Sequence, residues 1–165
     1  MARNLYDRLT EYIIENQQKF YRVAYTYVRD RENALDVVQN AVCKALENYK
    51  SLKQEDAMKT WFYRILVNES LNFLRKSQRE ITFEPEEFPV EIYEEPAYEA
   101  GLHVYEEVAS LPDSLRTVVI LHYFEELTLK EIAQVTDTNL NTVKTRLYSA
   151  LRRLKTIVQE REKCI

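Results

Sequence analysis

The sequence predicts an all-helical protein. Of its 165 residues only one, Gly101, is glycine, whereas average usage of about 7% would supply roughly 12. Two-residue β-hairpins usually need Asn-Gly, Asp-Gly or Gly-Gly pairs, and the chain contains none of them. Strong helix formers are plentiful instead,. The scarcity of glycine also excludes the glycine-rich loops of nucleotide-binding folds and the G-x-S-x-G turn of hydrolases.

An acidic, proline-rich segment divides the chain into two small helical domains. Residues 81–107 contain three of the four prolines and nine acidic side chains, but no lysine or arginine. Closely spaced prolines cannot lie in one helix, and uncompensated carboxylates oppose compaction. We therefore predict a flexible acidic linker over residues 81–101, which joins a domain of residues 1–80 to a domain of residues 102–165.

The net charge of −4 taken alone argues against a nucleic-acid partner,. Its distribution changes that interpretation. Residues 1–80 carry 14 basic and 11 acidic side chains, and residues 108–165 carry 9 and 7, so both domains are mildly basic. The acidic excess lies in the linker segment between them.

The N-terminal domain is predicted to be a bundle of three or four helices. Apolar residues recur at helical spacing over residues 5–13, 20–28, 31–49 and 60–79,. Asp30 and Thr60 can cap the last two helices, and the polar segment 51–59 separates them,. The expected core residues of these two helices are Ala34, Val38, Ala41, Val42, Ala45, Tyr49, Phe62, Ile65, Leu66 and Phe73.

Helix-start signals organise the C-terminal domain. Residues 110–113 (SLPD) and 128–131 (TLKE) match the capping-box pattern, and Asn141 can cap a further helix,. The predicted helices cover residues 115–126, 129–136 and 142–159. A short helix, a tight turn and a longer basic helix, in that order, are typical of a helix-turn-helix.

Five residues support the helix-turn-helix interpretation. Ala133 is small where the two helices would touch, and Ile132, Val143 and Leu147 would form their shared core. Asp137 falls where the turn usually has a left-handed glycine, and Asp or Asn is the next best tolerated choice.

The last helix is the predicted duplex-DNA reader, since helix-turn-helix proteins place the N-terminal part of their second helix in the major groove. The candidate base or phosphate contacts are Thr142, Lys144, Thr145, Tyr148 and Ser149, beside the basic residues Arg146 and Arg152. The alternative interpretation is a solvated basic face on a packing helix.

A second stripe follows one face of the helix over 60–79. It comprises Trp61, Arg64, Asn68, Asn72, Arg75 and Arg79. An aromatic ring, amides and guanidiniums can stack unpaired bases, bind their edges and hold phosphates. Simple core packing is the alternative for Trp61.

A polar patch lies off the apolar face of the helix over 31–49. It comprises Asp36, Gln39, Asn40 and Glu47. Because an acidic patch does not suit DNA, we expect either a protein partner or ordinary solvated surface.

Metal, redox and membrane functions are not expected. Cys43 and Cys164 lack a C-x-x-C pattern, and His103 and His122 are too few for a metal or general-base cluster,. No apolar run approaches the ~20 residues of a membrane span, and the N-terminus lacks a signal-peptide core. We expect a cytoplasmic protein that is not an enzyme and uses no metal or cofactor.

Three ordered motifs carry a family resemblance. ALDVVQNAV (34–42) is similar to A-E-D-x-x-Q-x-x-F, and TWFYRILVNESLNFLRK (60–76) is similar to W-L-x-x-I-x-x-N-x-x-x-D-x-x-R. Residues 111–154 are similar to L-P-x-x-x-R, E-I-A and G-T-V-K-S-R-L-x-R-A-R in sequence. The chain thereby resembles the sigma-70 family, and within it the short extracytoplasmic function (ECF) type that retains regions 2 and 4.

The resemblance implies a role for each candidate residue. Asp36, Gln39 and Asn40 would face the β′ clamp helices of core RNA polymerase. Trp61, Arg64, Asn68, Asn72 and Arg75 would contact the melted −10 element, with the loop 51–59 receiving a flipped base. Lys130, Thr142, Lys144, Thr145, Arg146, Tyr148, Ser149 and Arg152 would bind the −35 duplex. Arg116 and Lys130 would lie near the DNA backbone or the β flap.

The implied function is promoter selection for core RNA polymerase. The implied regulator is a membrane-anchored anti-sigma factor, which would hold the protein at the inner face of the membrane until a surface stress releases it. A stand-alone helix-turn-helix regulator with an N-terminal sensing domain is the alternative.

The chain departs from the family pattern at several positions. Leu35 stands in place of a glutamate, and Ser149 and Leu151 stand in place of two arginines, which removes two candidate phosphate contacts.

The linker is long enough for promoter recognition. Twenty extended residues reach at most roughly 65–70 Å, and the two promoter elements lie roughly 50 Å apart.

Overall fold

The described part of the chain is helical, as predicted. The computed structural model describes residues 4–81 and 106–163, with side chains described over 4–77 and 106–157. Within these residues there is no strand. The predicted linker, Gly101, His103 and Cys164 lie outside them.

The α-helices are named here in chain order. They are α1 (Leu5–Glu15), α2 (Gln17–Val28), α3 (Arg31–Glu47), α4 (Met58–Ile81), α5 (Asp113–Val119), α6 (Leu129–Thr136) and α7 (Leu140–Lys163). Two 3-10 turns, Tyr49–Ser51 and Glu55–Ala57, occupy the polar interruption between α3 and α4. Residues 106–109 form a further helical turn.

Aromatic rings form the centre of the N-terminal bundle. Phe20 of α2 and Phe62 of α4 are fully buried, and their ring centroids lie 4.3 Å apart. Tyr12 packs against both rings, and Tyr63 packs against the Phe20 ring. The structure confirms Ala34, Ala41, Ala45, Phe62 and Leu66 as buried, whereas Val38, Val42, Tyr49, Ile65 and Phe73 are only partly buried. Val37 and Tyr63 are buried residues that the prediction omitted.

The predicted starts of α3 and α4 need correction. Asp30 occupies the position before α3, but its side chain makes no capping hydrogen bond. Helix α4 begins at Met58, two residues before Thr60. The Thr60 hydroxyl donates to the carbonyl of Ala57 at 3.1 Å, so it bonds back into the preceding turn rather than opening the helix.

Of the three caps predicted for the C-terminal helices, one is confirmed and two are wrong. Thr128 and Glu131 form the predicted capping box, with reciprocal bonds of 3.0 and 3.1 Å. Ser110 does not cap α5, because its hydroxyl donates to the Glu107 carbonyl at 2.6 Å. Asn141 does not cap α7 either. Asn139 takes that role, and its side-chain oxygen accepts from the amide of Thr142 at 2.8 Å.

A π-helical segment replaces the predicted end of the helix over 115–126. It spans Ile120–Phe124, and the amide of Glu125 donates to the Ile120 carbonyl at 3.1 Å. Glu126 follows in the left-handed region with φ 58°. This wider turn ends with the Glu125 side chain buried, 6% exposed.

The N-terminal and C-terminal helices pack against each other. Helix α4 contacts α6, while α5 and α6 contact α7 to form the C-terminal core. Ile132, Val143 and Leu147, the predicted core of the helix-turn-helix, are buried. The candidate DNA-contacting faces of α4 and α7 are therefore parts of one packed arrangement.

Candidate nucleic-acid and polymerase interfaces

The turn between α6 and α7 has helix-turn-helix geometry. Asp137 adopts the predicted left-handed conformation, with φ 53° and ψ 45°. The amide of Thr138 donates to the carbonyl of Ala133 at 3.0 Å, which closes the C-terminal end of α6. Ala133 is half-buried against the core. The turn forms without glycine because aspartate tolerates this region of backbone space.

Helix α7 presents its candidate DNA contacts outward. Lys144, Thr145, Tyr148 and Arg152 are exposed, as is Lys130 at the start of α6, while Thr142, Arg146 and Ser149 are half-buried. Tyr148 is 61% exposed. A tyrosine ring left in water on a basic helix face offers apolar area to a ligand.

The stripe on α4 lies opposite the buried face of that helix. Arg64, Asn68, Asn72 and Arg75 are exposed, and Arg79 lies outside the described side chains. Trp61 is half-buried and packs against the core, so core packing accounts for part of its environment. The exposed members offer amides and guanidiniums along one helix face.

The polar patch on α3 is fully accessible. Asp36, Gln39, Asn40 and Glu47 are all exposed. Leu35 lies beside them with 52% of its surface exposed. Single exposed apolar residues are common on protein surfaces, so Leu35 adds apolar area to the patch without identifying its partner.

The α4 stripe faces the helix-turn-helix across a narrow cleft, which sequence reasoning did not predict. The Arg64 guanidinium lies 3.8 Å from the Asp137 carboxylate. Further along, Asn68 and Arg75 of α4 and Arg146 of α7 line a cleft with a volume of about 280 Å³. The apolar floor of the cleft comes from Val67, Leu71 and Leu74.

Arg116 is buried between the two sets of helices. It is 8% exposed, and its Nη1 donates to the carbonyl oxygens of Thr26 at 3.1 Å and Tyr27 at 3.4 Å. Its guanidinium also lies 5.2 Å from the centre of the Tyr27 ring. Burial lowers the pKa of Arg116. In this arrangement Arg116 contacts protein rather than solvent.

Glu125 forms a second buried polar contact. The Tyr63 hydroxyl donates to its carboxylate at 2.6 Å. Burial raises the pKa of Glu125, although the hydrogen bond from Tyr63 and the nearby cations Arg22, Lys19 and Lys59 act in the opposite direction. The same burial raises the pKa of the Tyr63 hydroxyl. The one feature of the sequence that points to this buried contact is the position of Glu125, an acidic residue that directly follows the apolar run ending at Phe124.

The described residues carry no metal or membrane signature. Among residues 4–81 and 106–163, no group of His, Cys, Asp and Glu side chains is arranged to hold a metal ion. Over the same ranges no helix combines the length and apolarity needed to cross a bilayer.

Comparison with known proteins identifies the class of protein to which this chain belongs. Residues 13–80 match the family model of sigma-70 region 2, and residues 103–154 match that of sigma-70 region 4. The RNA polymerase sigma factor SigV of Bacillus subtilis is 40% identical over 87% of this chain and 86% of its own length. The ECF RNA polymerase sigma factor SigW of the same organism is 28% identical over 80% of this chain and 79% of its own length.

The solved structures agree in fold. Sigma factor RpoE of Bartonella quintana, crystallised with the anti-sigma factor NepR, superposes with a TM-score of 0.79 at 22% identity, covering 91% of this chain and 96% of that one. CnrH in complex with the cytosolic domain of CnrY gives 0.70 at 15% identity, covering 92% and 88%. The chain belongs to the sigma-70 family, as an ECF sigma factor that serves RNA polymerase in transcription initiation.

Proposed function

We propose that this sigma factor recognises the −35 element as duplex through α7 and the −10 element as melted single strand through α4. The observation that carries the proposal is the pair of exposed polar and cationic helix faces, each backed by a buried apolar face of the same helix. Arg64, Asn68, Asn72 and Arg75 supply donors for bases and phosphates on α4. Lys144, Thr145, Tyr148 and Arg152 supply them on α7.

The α3 patch is proposed to bind core polymerase. Asp36, Gln39 and Asn40 are exposed beside Leu35, which combines polar specificity with apolar area on one helix face. The β′ clamp helices are the surface that the family resemblance implies for this patch. The β flap is the corresponding candidate for the C-terminal domain.

An anti-sigma factor is proposed as the regulator. RpoE and CnrH, which share the fold, were solved with an anti-sigma factor and with a cytosolic domain, respectively. We propose that the partner of this chain is membrane-anchored, that it holds a cytoplasmic sigma factor at the inner face of the membrane, and that surface stress releases it.

Run-off transcription with purified core polymerase tests the residue assignments. Asn68→Ala and Lys144→Ala should each lower initiation by about 5- to 160-fold, the range that corresponds to the ~1–3 kcal/mol of a good base contact. Gln18→Ala on α2 and Lys155→Ala on α7 are matched controls, because both residues are exposed and lie outside the proposed sites. Both control variants should initiate normally.

Pull-down of core polymerase separates promoter recognition from polymerase binding. Asn68→Ala and Lys144→Ala should retain wild-type capture, whereas Asp36→Ala and Gln39→Ala together should lose it. Unchanged initiation by both Asn68→Ala and Lys144→Ala would remove these residues from the promoter site.

A further inference from the structure

The loop between α3 and α4 lies at the start of the α4 stripe. It covers residues 48–57, and α4 begins directly after it at Met58. Trp61, the first member of the stripe, follows three residues later. A single strand that lies along the stripe therefore meets this loop if it continues past the N-terminal end of α4.

The centre of the α3–α4 loop is extended and exposed, whereas its two flanks are anchored. Leu52 and Met58 are 3% and 7% exposed, so they fix the segment between them to the bundle. Leu52 and Gln54 have extended backbone, with ψ 102° and 128°. The side chains of Lys53 and Gln54 are exposed. An ammonium and an amide are groups that bind phosphates and base edges.

Two side chains of α1 contact the loop on either side of this exposed centre. Tyr6 packs edge-on against Tyr49 of the first 3-10 turn, with ring centroids 5.3 Å apart and an angle of 78° between the planes. Arg8 forms an ion pair with Glu55 of the second 3-10 turn. Helix α1 therefore holds both turns of the loop, through one aromatic contact and one ionic contact.

Helix α1 is a well-anchored support for these contacts. Leu9 and Ile13 are 0% and 5% exposed and fix the helix to the bundle core. The side chain of Asn4 caps the start of the helix, because its oxygen accepts from the Asp7 amide at 2.8 Å. Residues on helices are placed more precisely than residues on loops. A loop that is held in its binding conformation loses less entropy when a ligand binds.

The ion pair also changes the charge that a strand meets at the loop. Glu55 and Asp56 are both exposed directly before α4. Carboxylates there suit the helix dipole, but they repel a phosphate. Arg8 compensates the charge of Glu55 and holds that carboxylate toward α1. Arg8 forms this pair with Glu55 and not with Asp56.

We propose that Arg8 and Tyr6 of α1 are positioning residues for −10 recognition. They hold the α3–α4 loop so that Lys53 and Gln54 bind the part of the single strand next to the α4 stripe. The inference rests on the single-strand recognition proposed above, and it adds α1 to the elements that determine base preference. Exposed ion pairs contribute little to folding stability, so loss of the pair should act on the loop and not on the fold.

The base preference of the holoenzyme tests this role. The probe is a pool of single-stranded oligonucleotides with about 12 random bases, within the range that single-strand sites cover. Core polymerase that carries the full chain captures the pool, capture by core polymerase alone gives the background, and the bound strands are sequenced. The wild-type protein should enrich particular bases over a run of positions.

Arg8→Glu should lower that enrichment at one end of the run only. The expected loss is about two- to fivefold, the range that one exposed ion pair can contribute. Lys53→Ala and Gln54→Ala should lower enrichment at the same positions, because they remove the groups that the loop presents. Asn68→Ala should act at other positions of the run, since Asn68 lies further along α4.

Two double variants with the same net charge provide the matched control. Arg8→Glu with Glu55→Arg reverses the ion pair and should recover the wild-type preference. Arg8→Glu with Asp56→Arg places the new arginine one position away and should not recover it. Circular dichroism, urea unfolding and capture of core polymerase should match wild type in both.

Tyr6 is tested by keeping or removing its ring. Tyr6→Ala should lower enrichment at the positions that Arg8→Glu affects, because the contact with Tyr49 is lost. Tyr6→Phe keeps the ring that makes this edge-on contact, so it should retain the wild-type preference.

The outcomes separate the role of α1 from the proposed function. Equal recovery by the two double variants would overturn the ion pair as a positioning contact, and so would a uniform loss of enrichment at every position in Arg8→Glu. Unchanged preference in Arg8→Glu, with an altered preference in Asn68→Ala, would overturn the role of α1 and leave −10 recognition by α4 standing. A wild-type holoenzyme with no preference beyond that of core polymerase would overturn the −10 recognition itself.

Discussion

Phe62→Ala is expected to lower the free energy of unfolding by about 3–5 kcal/mol, the usual cost of truncating a buried aromatic residue. Phe62 is fully buried, 4.3 Å from the Phe20 ring and 6.3 Å from the Tyr12 ring. Alanine would leave a cavity where three helices meet, and ring-to-ring contacts of ~0.5–1.5 kcal/mol would be lost with it. Urea unfolding followed by circular dichroism measures the change.

Ile14→Ala is the matched control for Phe62→Ala. Ile14 is an apolar residue of the same bundle, but 60% of its surface is exposed. Its truncation should change stability by no more than about 0.5 kcal/mol. Equal losses in the two variants would contradict the aromatic core described above. Because Trp61 and Arg64 lie on the same helix as Phe62, the destabilised variant should also initiate transcription poorly.

The parts of the fold that were predicted from sequence are those encoded by local patterns. Apolar spacing places Ala34 and Ala41 on one side of α3, and Phe62 and Leu66 on one side of α4. All four residues are buried. The start of α6 was predicted because a capping box needs only the residues from Thr128 to Glu131. Short-range chemistry of this kind leaves few alternatives for the chain.

Caps failed where a nearby group offered the same side chain another partner. Ser110 could bond forward into α5 or back to Glu107, and the structure has the second bond. Asn139 and Asn141 carry the same amide side chain, so either of them could cap α7. Local sequence therefore does not distinguish between them. The π turn over Ile120–Phe124 has no local sequence signature. The burial of the Glu125 side chain that follows this turn was therefore not predicted.

The candidate site was predicted as two separate helix faces, and their mutual contact was not. Arg64, Asn68 and Lys144 could be named from helical periodicity and motif spacing, because each lies on the exposed face of an amphipathic helix. Arg116 was named only as a residue near the DNA backbone or the β flap, and Glu125 was not named, since their buried partners Thr26 and Tyr63 are 90 and 62 positions away in the chain. Contacts of that range depend on how whole helices pack, which periodicity within one helix does not specify.

Arg116→Ala is expected to lower the free energy of unfolding by about 1–3 kcal/mol, the range for leaving buried acceptors without their hydrogen-bond donor. The substitution leaves the carbonyls of Thr26, Tyr27 and Leu111 without the donors that now reach them. Arg153→Ala is the control, because Arg153 is an exposed arginine of the same C-terminal domain. Urea unfolding should show a change of at most about 0.5 kcal/mol for the control.

Arg116→Lys separates the charge of Arg116 from its geometry. Lysine keeps the positive charge at the end of α2 but has a single ammonium in place of a planar fork of donors. It cannot reach the carbonyls of α2 and the start of α5 together, so it should recover only part of the lost stability. A loss of stability equal to that of Arg153→Ala would show that the buried guanidinium does not stabilise this arrangement.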